Sequence, residues 1–172
     1  MGFVFLLGGA RSGKSSLAVR LAADSGAQVR FIATASAGDA EMADRIRLHR
    51  KERPAGWTTV DAPINLLAAV AAAPLEEFLV VDCLTLWVSN LLGDGVGSES
   101  VQRAADQVAE EMARRRGVVV SNEVGLGIVP VNDLARAFRD VLGSVNARFA
   151  ECAERALFMV AGRGIELSGT PW

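Results

Sequence analysis

The segment Gly8-Gly9-Ala10-Arg11-Ser12-Gly13-Lys14-Ser15 fits the pattern GxxxxGK[ST], and it stands between the apolar run Phe3–Leu7 and an amphipathic stretch from about Lys14 to Ala23. That is the strand, loop, helix setting in which the pattern binds phosphate. Glycines let the chain turn its N–H groups inward, the helix N-terminus adds partial positive charge, and Lys14 reaches the β- and γ-phosphates. Ser15 is then a ligand for Mg²⁺. A glycine-rich turn carrying Lys-Ser by chance needs no such setting, so few folds other than a nucleotide-binding α/β domain are open to this chain.

The rest of the sequence agrees. Runs of strand length (Phe3–Leu7, Val29–Thr34, Trp57–Val60, Phe78–Asp82, Gly117–Asn122, Ala156–Ala161) alternate with helical stretches (Lys14–Ala23, Asp39–Arg53, Ile64–Ala73, Leu84–Leu92, Ser98–Arg115, Asn132–Glu154). The strands are nearly continuous in apolar residues, as buried parallel strands are, which predicts a mostly parallel sheet with helices on both faces. The last helix has a candidate kink at Gly143. Gly93–Ser98 reads as a surface connection between helices, because no strand feeds into it. No linker or repeat divides the 172 residues, so residues 1–172 are expected to form a single P-loop nucleotide-binding domain.

A bound nucleotide needs a carboxylate for its metal, and Asp82 closes the apolar run Phe78–Val81 at the sheet edge where ligands bind in open α/β sheets. Its other reading is an N-cap for the helix beginning near Leu84. Glu123 stands at a second strand end, before the apolar loop Val124-Gly125-Leu126-Gly127-Ile128-Val129-Pro130, and its role stays open: binding Mg²⁺ through water, polarising an attacking hydroxyl, or accepting hydrogen bonds that pin the loop. The apolar loop itself suits the cover of a bulky substrate or a subunit boundary. His49, the single histidine, lies in Arg45-Ile46-Arg47-Leu48-His49-Arg50-Lys51-Glu52-Arg53, where five of nine residues are basic. Clustered positive charge disfavours imidazolium, and a neutral imidazole is the form that attacks an α-phosphate held by arginines. A solvated basic helix face with an ordinary boundary histidine fits the same pattern.

Composition narrows the classes. With 51% hydrophobic residues and 22% charged the chain has the apolar surface to pack a core, and 18 Lys plus Arg against 20 Asp plus Glu give no general basic footprint for nucleic acid. The longest apolar run, Leu66–Ala73, is too short to span a membrane, and no secretory signal is recognised near Met1, so a cytoplasmic location is expected. Cys83 and Cys152 have neither CxxC nor Cys-His spacing and read as buried free thiols.

Taken in order, Gly8 to Ser15, then Ile32-Ala33-Thr34-Ala35, then Glu41-Met42 through Arg45 to Arg53-Pro54 and Trp57, and last Asn122-Glu123-Val124-Gly125-Leu126-Gly127-Ile128-Val129-Pro130, the chain resembles the bifunctional adenosylcobinamide kinase/adenosylcobinamide-phosphate guanylyltransferase family of cobalamin biosynthesis. The match spans nearly the whole chain, and generic P-loop kinases lack its last two pieces. The resemblance implies a RecA-like P-loop NTPase fold and two reactions. The first phosphorylates adenosylcobinamide with ATP or GTP; the second transfers GMP from GTP to the product through a guanylylated histidine, here His49. It also implies nucleotide contacts from the P-loop, from Thr34, Ala35 and Ser36, from Arg50, Lys51, Glu52 and Arg53, and from Asp61 and Asp82, together with Mg²⁺ and assembly as a homotrimer. The small-molecule partners would be a corrinoid and a nucleotide. One departure from relatives is visible: the last strand runs into Gly162-Arg163-Gly164-Ile165 and an irregular Ser168–Trp172 end. Two other readings compete: a P-loop small-molecule kinase with a structural His49, and a nucleotide-binding or ATPase module acting on a protein partner.

Overall fold

The computed structural model describes residues 2–36 and 54–167. The strands β1 (Phe3–Gly8), β2 (Val29–Ala33), β3 (Thr58–Asp61), β4 (Phe78–Asp82), β5 (Arg116–Asn122), β6 (Arg155–Val160) and β7 (Arg163–Leu167) form one sheet in the order β3-β2-β4-β5-β1-β6-β7. Every pair is parallel except β6 with β7. The described helices are α1 (Lys14–Asp24), α2 (Leu66–Ala71), α3 (Leu84–Gly93), α4 (Ser98–Met112) and α5 (Asp133–Cys152).

Alternation along the strands sorts the core into two layers, because successive side chains leave a strand on opposite faces. Phe5, Leu7, Leu79, Val81 and Val119 join Leu84, Trp87, Val108, Met112, Leu142 and Phe149 from α3, α4 and α5. Leu6, Val80, Val118 and Val120 meet Ala18 and Ala22 of α1 on the other face. The small alanines bring α1 close beneath β4 and β5, and so fix the direction in which its N-terminus points. Arg115, just before β5, is buried and donates to the carbonyls of Ala71 and Ala73 as well as to Glu111, which ties the end of α2 to the sheet.

Most elements fall where the apolar pattern predicts them, and three differences have physical causes. The sheet has a seventh strand. Residues 163–167, which read as a glycine-punctuated and irregular tail, pair antiparallel with β6 through a two-residue turn at Ala161 and Gly162, both at positive φ (49° and 75°). That is the twist a tight hairpin requires, and glycine supplies it at the second position without strain. The expectation that all strands are buried fails at the edges: β3 is largely exposed and every residue of β7 is exposed. Cys152, read as buried, is only half-buried, whereas Cys83 is buried. The helix α5 continues through Gly143 without a break. The stretch Asp39–Arg53, expected to be helical, lies outside the described residues.

Candidate active site

The strand register gathers the sequence-predicted groups on one edge of the sheet. Gly8 lies level with Asn122 on β5 and with Met159 on β6, while Ala33 lies level with Asp82 on β4 and Asp61 on β3. All are strand C-terminal ends, where ligands bind in open parallel sheets.

Between Gly8 and α1 the loop is shaped by backbone that side chains would obstruct. A Cβ on Gly8 would lie 2.4 Å from the Met159 carbonyl oxygen. Gly13, the N-cap of α1, takes a left-handed conformation (φ 97°, ψ 6°), and Arg11 is held at φ 55°. A non-glycine residue in that region costs of the order of 1–3 kcal/mol, a strain typical of ligand-binding loops. Gly9, Ala10 and Arg11 are exposed, and Ser12 and Lys14 are buried.

The Lys14 ammonium folds back over the loop, donating to the Gly8 carbonyl at 2.8 Å, the Gly9 carbonyl at 2.6 Å and Ser12 Oγ at 3.3 Å. Burial lowers its pKa, against which the negative charge of Asp82 acts to raise it. Three oxygen acceptors thus hold a cation until phosphate oxygens compete for it.

Ser15 Oγ donates to Asp82 Oδ2 at 3.5 Å, so the two candidate metal ligands face each other across the loop. Asp82 is not the N-cap of α3; that position is Cys83, whose side chain makes no capping bond, and the Asp82–Cys83 peptide is cis. Burial first, then the Asp82 charge, pushes the Cys83 thiol up to about 11, so it stays protonated and inert at neutral pH. Among the described residues no three His, Cys, Asp or Glu side chains cluster to hold a metal by themselves. A pair of hard oxygen donors beside a phosphate loop suits Mg²⁺, which takes one or two protein oxygens and completes its shell with phosphate and water.

The remaining predicted positions divide by what their side chains already do. Thr34 is fully buried and its hydroxyl is committed to Cys83, donating to the carbonyl at 2.7 Å and accepting from the amide at 2.8 Å. It clips β2 to the start of α3, leaving the half-buried Ala35 and exposed Ser36 to face solvent. Asn90 fixes that segment, donating to the Thr34 and Pro63 carbonyls and accepting from Ser36 Oγ. Asp61 is exposed at the end of β3, on the far side of β2 from Asp82. At about 4.8 Å per strand the two are separated by roughly 10 Å. The Glu123 backbone amide donates to the Gly8 carbonyl, and one Glu123 carboxylate oxygen accepts from the Gly125 amide at 2.5 Å. Glu123 therefore pins its loop. His49, Arg50, Lys51, Glu52 and Arg53 lie outside the described residues.

Sequence reading did not find the polar chain beneath this edge. Thr85 Oγ1 accepts from the Asn122 amide, Ser121 Oγ donates to Asn146 Oδ1 at 2.6 Å, and Asn146 Nδ2 donates to the Asn122 carbonyl. It ties the end of β5, beside Gly8, to α3 and α5. Its members are 24 to 37 residues apart, and isolated Thr, Ser and Asn residues carry no spacing that announces such a network.

The fold is similar to that of the assembled ATPase EscN of the enteropathogenic E. coli type III secretion system, with a TM-score of 0.59 and 11% identity over 93% of this chain and 43% of that one. A prototypical ATPase from a type III secretion system of pathogenic bacteria gives a TM-score of 0.54 and 14% identity over 91% of this chain and 50% of that one. These show the fold alone. In sequence the chain is 47% identical to the bifunctional adenosylcobalamin biosynthesis protein CobP of Pseudomonas aeruginosa, over 96% of this chain and 97% of the relative. It is 39% identical to the bifunctional adenosylcobalamin biosynthesis protein CobU of Salmonella typhimurium, over 95% and 98%. The family model for cobinamide kinase / cobinamide phosphate guanyltransferase matches residues 4–167, and with those relatives it shows that this chain belongs to the cobinamide kinase / cobinamide phosphate guanyltransferase family.

Proposed function

We infer that this chain carries out both family reactions at the edge formed by Gly8–Ser15 and Asp82, phosphorylating adenosylcobinamide with ATP or GTP and then transferring GMP from GTP to the product. The observation that carries this is the convergence of Lys14, Ser15 and Asp82 on one phosphate loop, within a chain matched by the bifunctional family along nearly its whole length.

In the first reaction the hydroxyl oxygen on the aminopropanol arm attacks the γ-phosphorus, the bond to the β-phosphate oxygen breaks, and the nucleoside diphosphate leaves as the hydroxyl proton is lost. The chain's task is positioning and charge neutralisation, which the loop amides and Lys14 supply. In the second, a His49 ring nitrogen attacks the α-phosphorus of GTP and expels pyrophosphate. The phosphate of adenosylcobinamide phosphate then displaces the imidazole, giving adenosylcobinamide-GDP and a free histidine. Arg50, Lys51, Glu52, Arg53 and the segment Thr34–Ser36 belong to the nucleotide pocket in this reading, with Asp61 at its margin. Ser15 and Asp82 would hold Mg²⁺, which neutralises charge on the phosphates when bound. Glu123 already serves its loop and is the weaker candidate for that ion.

The direct test supplies the protein with adenosylcobinamide, GTP and Mg²⁺ and follows products by mass: the phosphate and then the GDP derivative are expected, and neither forming would overturn the reading. Asp82→Asn keeps the shape but removes the charge, so the Mg²⁺ concentration giving half-maximal activity should rise about tenfold or more, in line with the cost of losing a charged metal contact. Titration curves that coincide for variant and parent would reduce Asp82 to a structural residue.

The chain also belongs, in our reading, to a homotrimer of single-domain subunits working in the cytoplasm. Support comes from Leu126, Ile128, Val129, Val131 and Leu134, which stand exposed on the loop and helix start after Glu123, with Ile128 98% exposed. Large apolar side chains exposed this close together along the chain mark a surface that is covered in use. Light scattering is expected to give about three times the 18.1 kDa of one chain, and a monomeric mass would refute it. Among the described residues no helix is long and apolar enough to cross a membrane.

A further inference from the structure

The hairpin formed by β6 and β7 buries none of β7, yet its turn is seated on the phosphate loop. The Gly162 backbone amide donates to the Ser12 carbonyl at 3.0 Å. A Cβ on Gly13 would stand 3.1 Å from the Gly162 Cα, and the Met159 carbonyl lies where a Gly8 Cβ would project. Backbone therefore packs on backbone at both ends of the loop, with glycine at each approach.

The Ser12–Gly13 peptide is not among the cis bonds of the described residues. In a planar trans unit the carbonyl and the following N–H point in opposite directions. Anchoring the Ser12 carbonyl on the hairpin therefore directs the Gly13 N–H away from the hairpin. A loop without this anchor would have to fix that peptide plane as phosphate arrives.

We propose that Gly162 is a positioning residue for phosphate binding: its backbone N–H holds the Ser12–Gly13 peptide in the orientation that presents the Gly13 N–H to the triphosphate. The proposal rests on the reading of Gly8–Ser15 as the nucleotide site. It gives β7 a purpose that burial does not, since pairing with β6 is what holds the Ala161-Gly162 turn at positive φ against the loop.

The N–H can be removed alone. Joining residues 1–151 to a synthetic segment 152–172 at Cys152 allows glycolate to replace Gly162, turning one amide into an ester while every side chain is kept. The probes are GTP and inorganic triphosphate with Mg²⁺, measured by calorimetry against an all-amide chain assembled in the same way; inorganic triphosphate touches only the phosphate site. Both affinities should fall about tenfold, the usual worth of a hydrogen bond to a binding backbone, with unchanged stoichiometry. Two ordinary variants check the backbone argument, since a Cβ at position 162 meets nothing within 4 Å. Gly162→Val, which avoids positive φ, should weaken inorganic triphosphate similarly, whereas Gly162→Asn, which tolerates it, should bind within about twofold of the parent. Ester and Val chains that bind triphosphate as the parent does overturn the proposal. So does a fall in melting temperature or binding stoichiometry with the dissociation constant unchanged, which would make Gly162 a folding residue only. If the all-amide parent binds neither probe, the nucleotide-site reading itself fails.

Discussion

Lys14→Ala is expected to lower both phosphorylation and guanylyl transfer by about 10²–10³-fold at saturating nucleotide, the cost of deleting one preorganised group that stabilises charge in a transition state. The fold should survive the change. Alanine is the best helix former at the start of α1, the Gly8 carbonyl keeps its bond from the Glu123 amide, and Gly9 is exposed to water, so the one buried acceptor to lose its donor is Ser12 Oγ, at a cost of about 1 kcal/mol. A melting temperature close to that of the parent, alongside the loss of both reactions, would separate this effect from unfolding. The two reactions fall together because the described residues offer one loop of this kind to two steps. A variant that keeps its kinase turnover, or that loses only one activity, would mean a second nucleotide site and overturn the single-site reading.

The parts of this site that could be read from sequence are those whose chemistry is local. Eight consecutive residues carry the phosphate loop, and an apolar run ending in Asp82 marks a strand end whatever its neighbours, so Ser15 facing Asp82 was foreseeable from sheet topology. Thr34 shows where that kind of reading stops. Its position beside the loop is legible, but its full burial and its two bonds to Cys83 depend on β4 lying next to β2, which no spacing encodes. The same holds for Ser121 and Asn146, and most strongly for Gly162, which reaches Ser12 from the other end of the chain. β7 escaped notice for a different reason: its residues are all exposed, so burial leaves no alternating pattern on them, and Gly162 and Gly164 read as punctuation although Gly162 forms the turn that leads into the strand.

The sharpest separation of the two activities is expected from His49→Ala. A phosphoramidate to GMP forms only when a ring nitrogen has attacked the α-phosphorus, so the parent should acquire acid-labile, base-stable label from GTP labelled at the α-phosphate and none from the γ-phosphate. The alanine variant should take up no α-label and make no adenosylcobinamide-GDP. Phosphorylation of adenosylcobinamide needs in-line positioning, the loop and its metal but no protein nucleophile, so it should persist, slowed at most severalfold by disturbance of the shared pocket. Labelling should also decline as acidification protonates the imidazole, because only the neutral ring has a lone pair to give. A kinase with a structural histidine would show no α-label even in the parent, and a binding module acting on a protein partner would label from neither position. Uptake of α-label by the alanine variant, or recovery of the label on any residue other than His49, would end the covalent mechanism and require direct attack of the corrinoid phosphate on GTP.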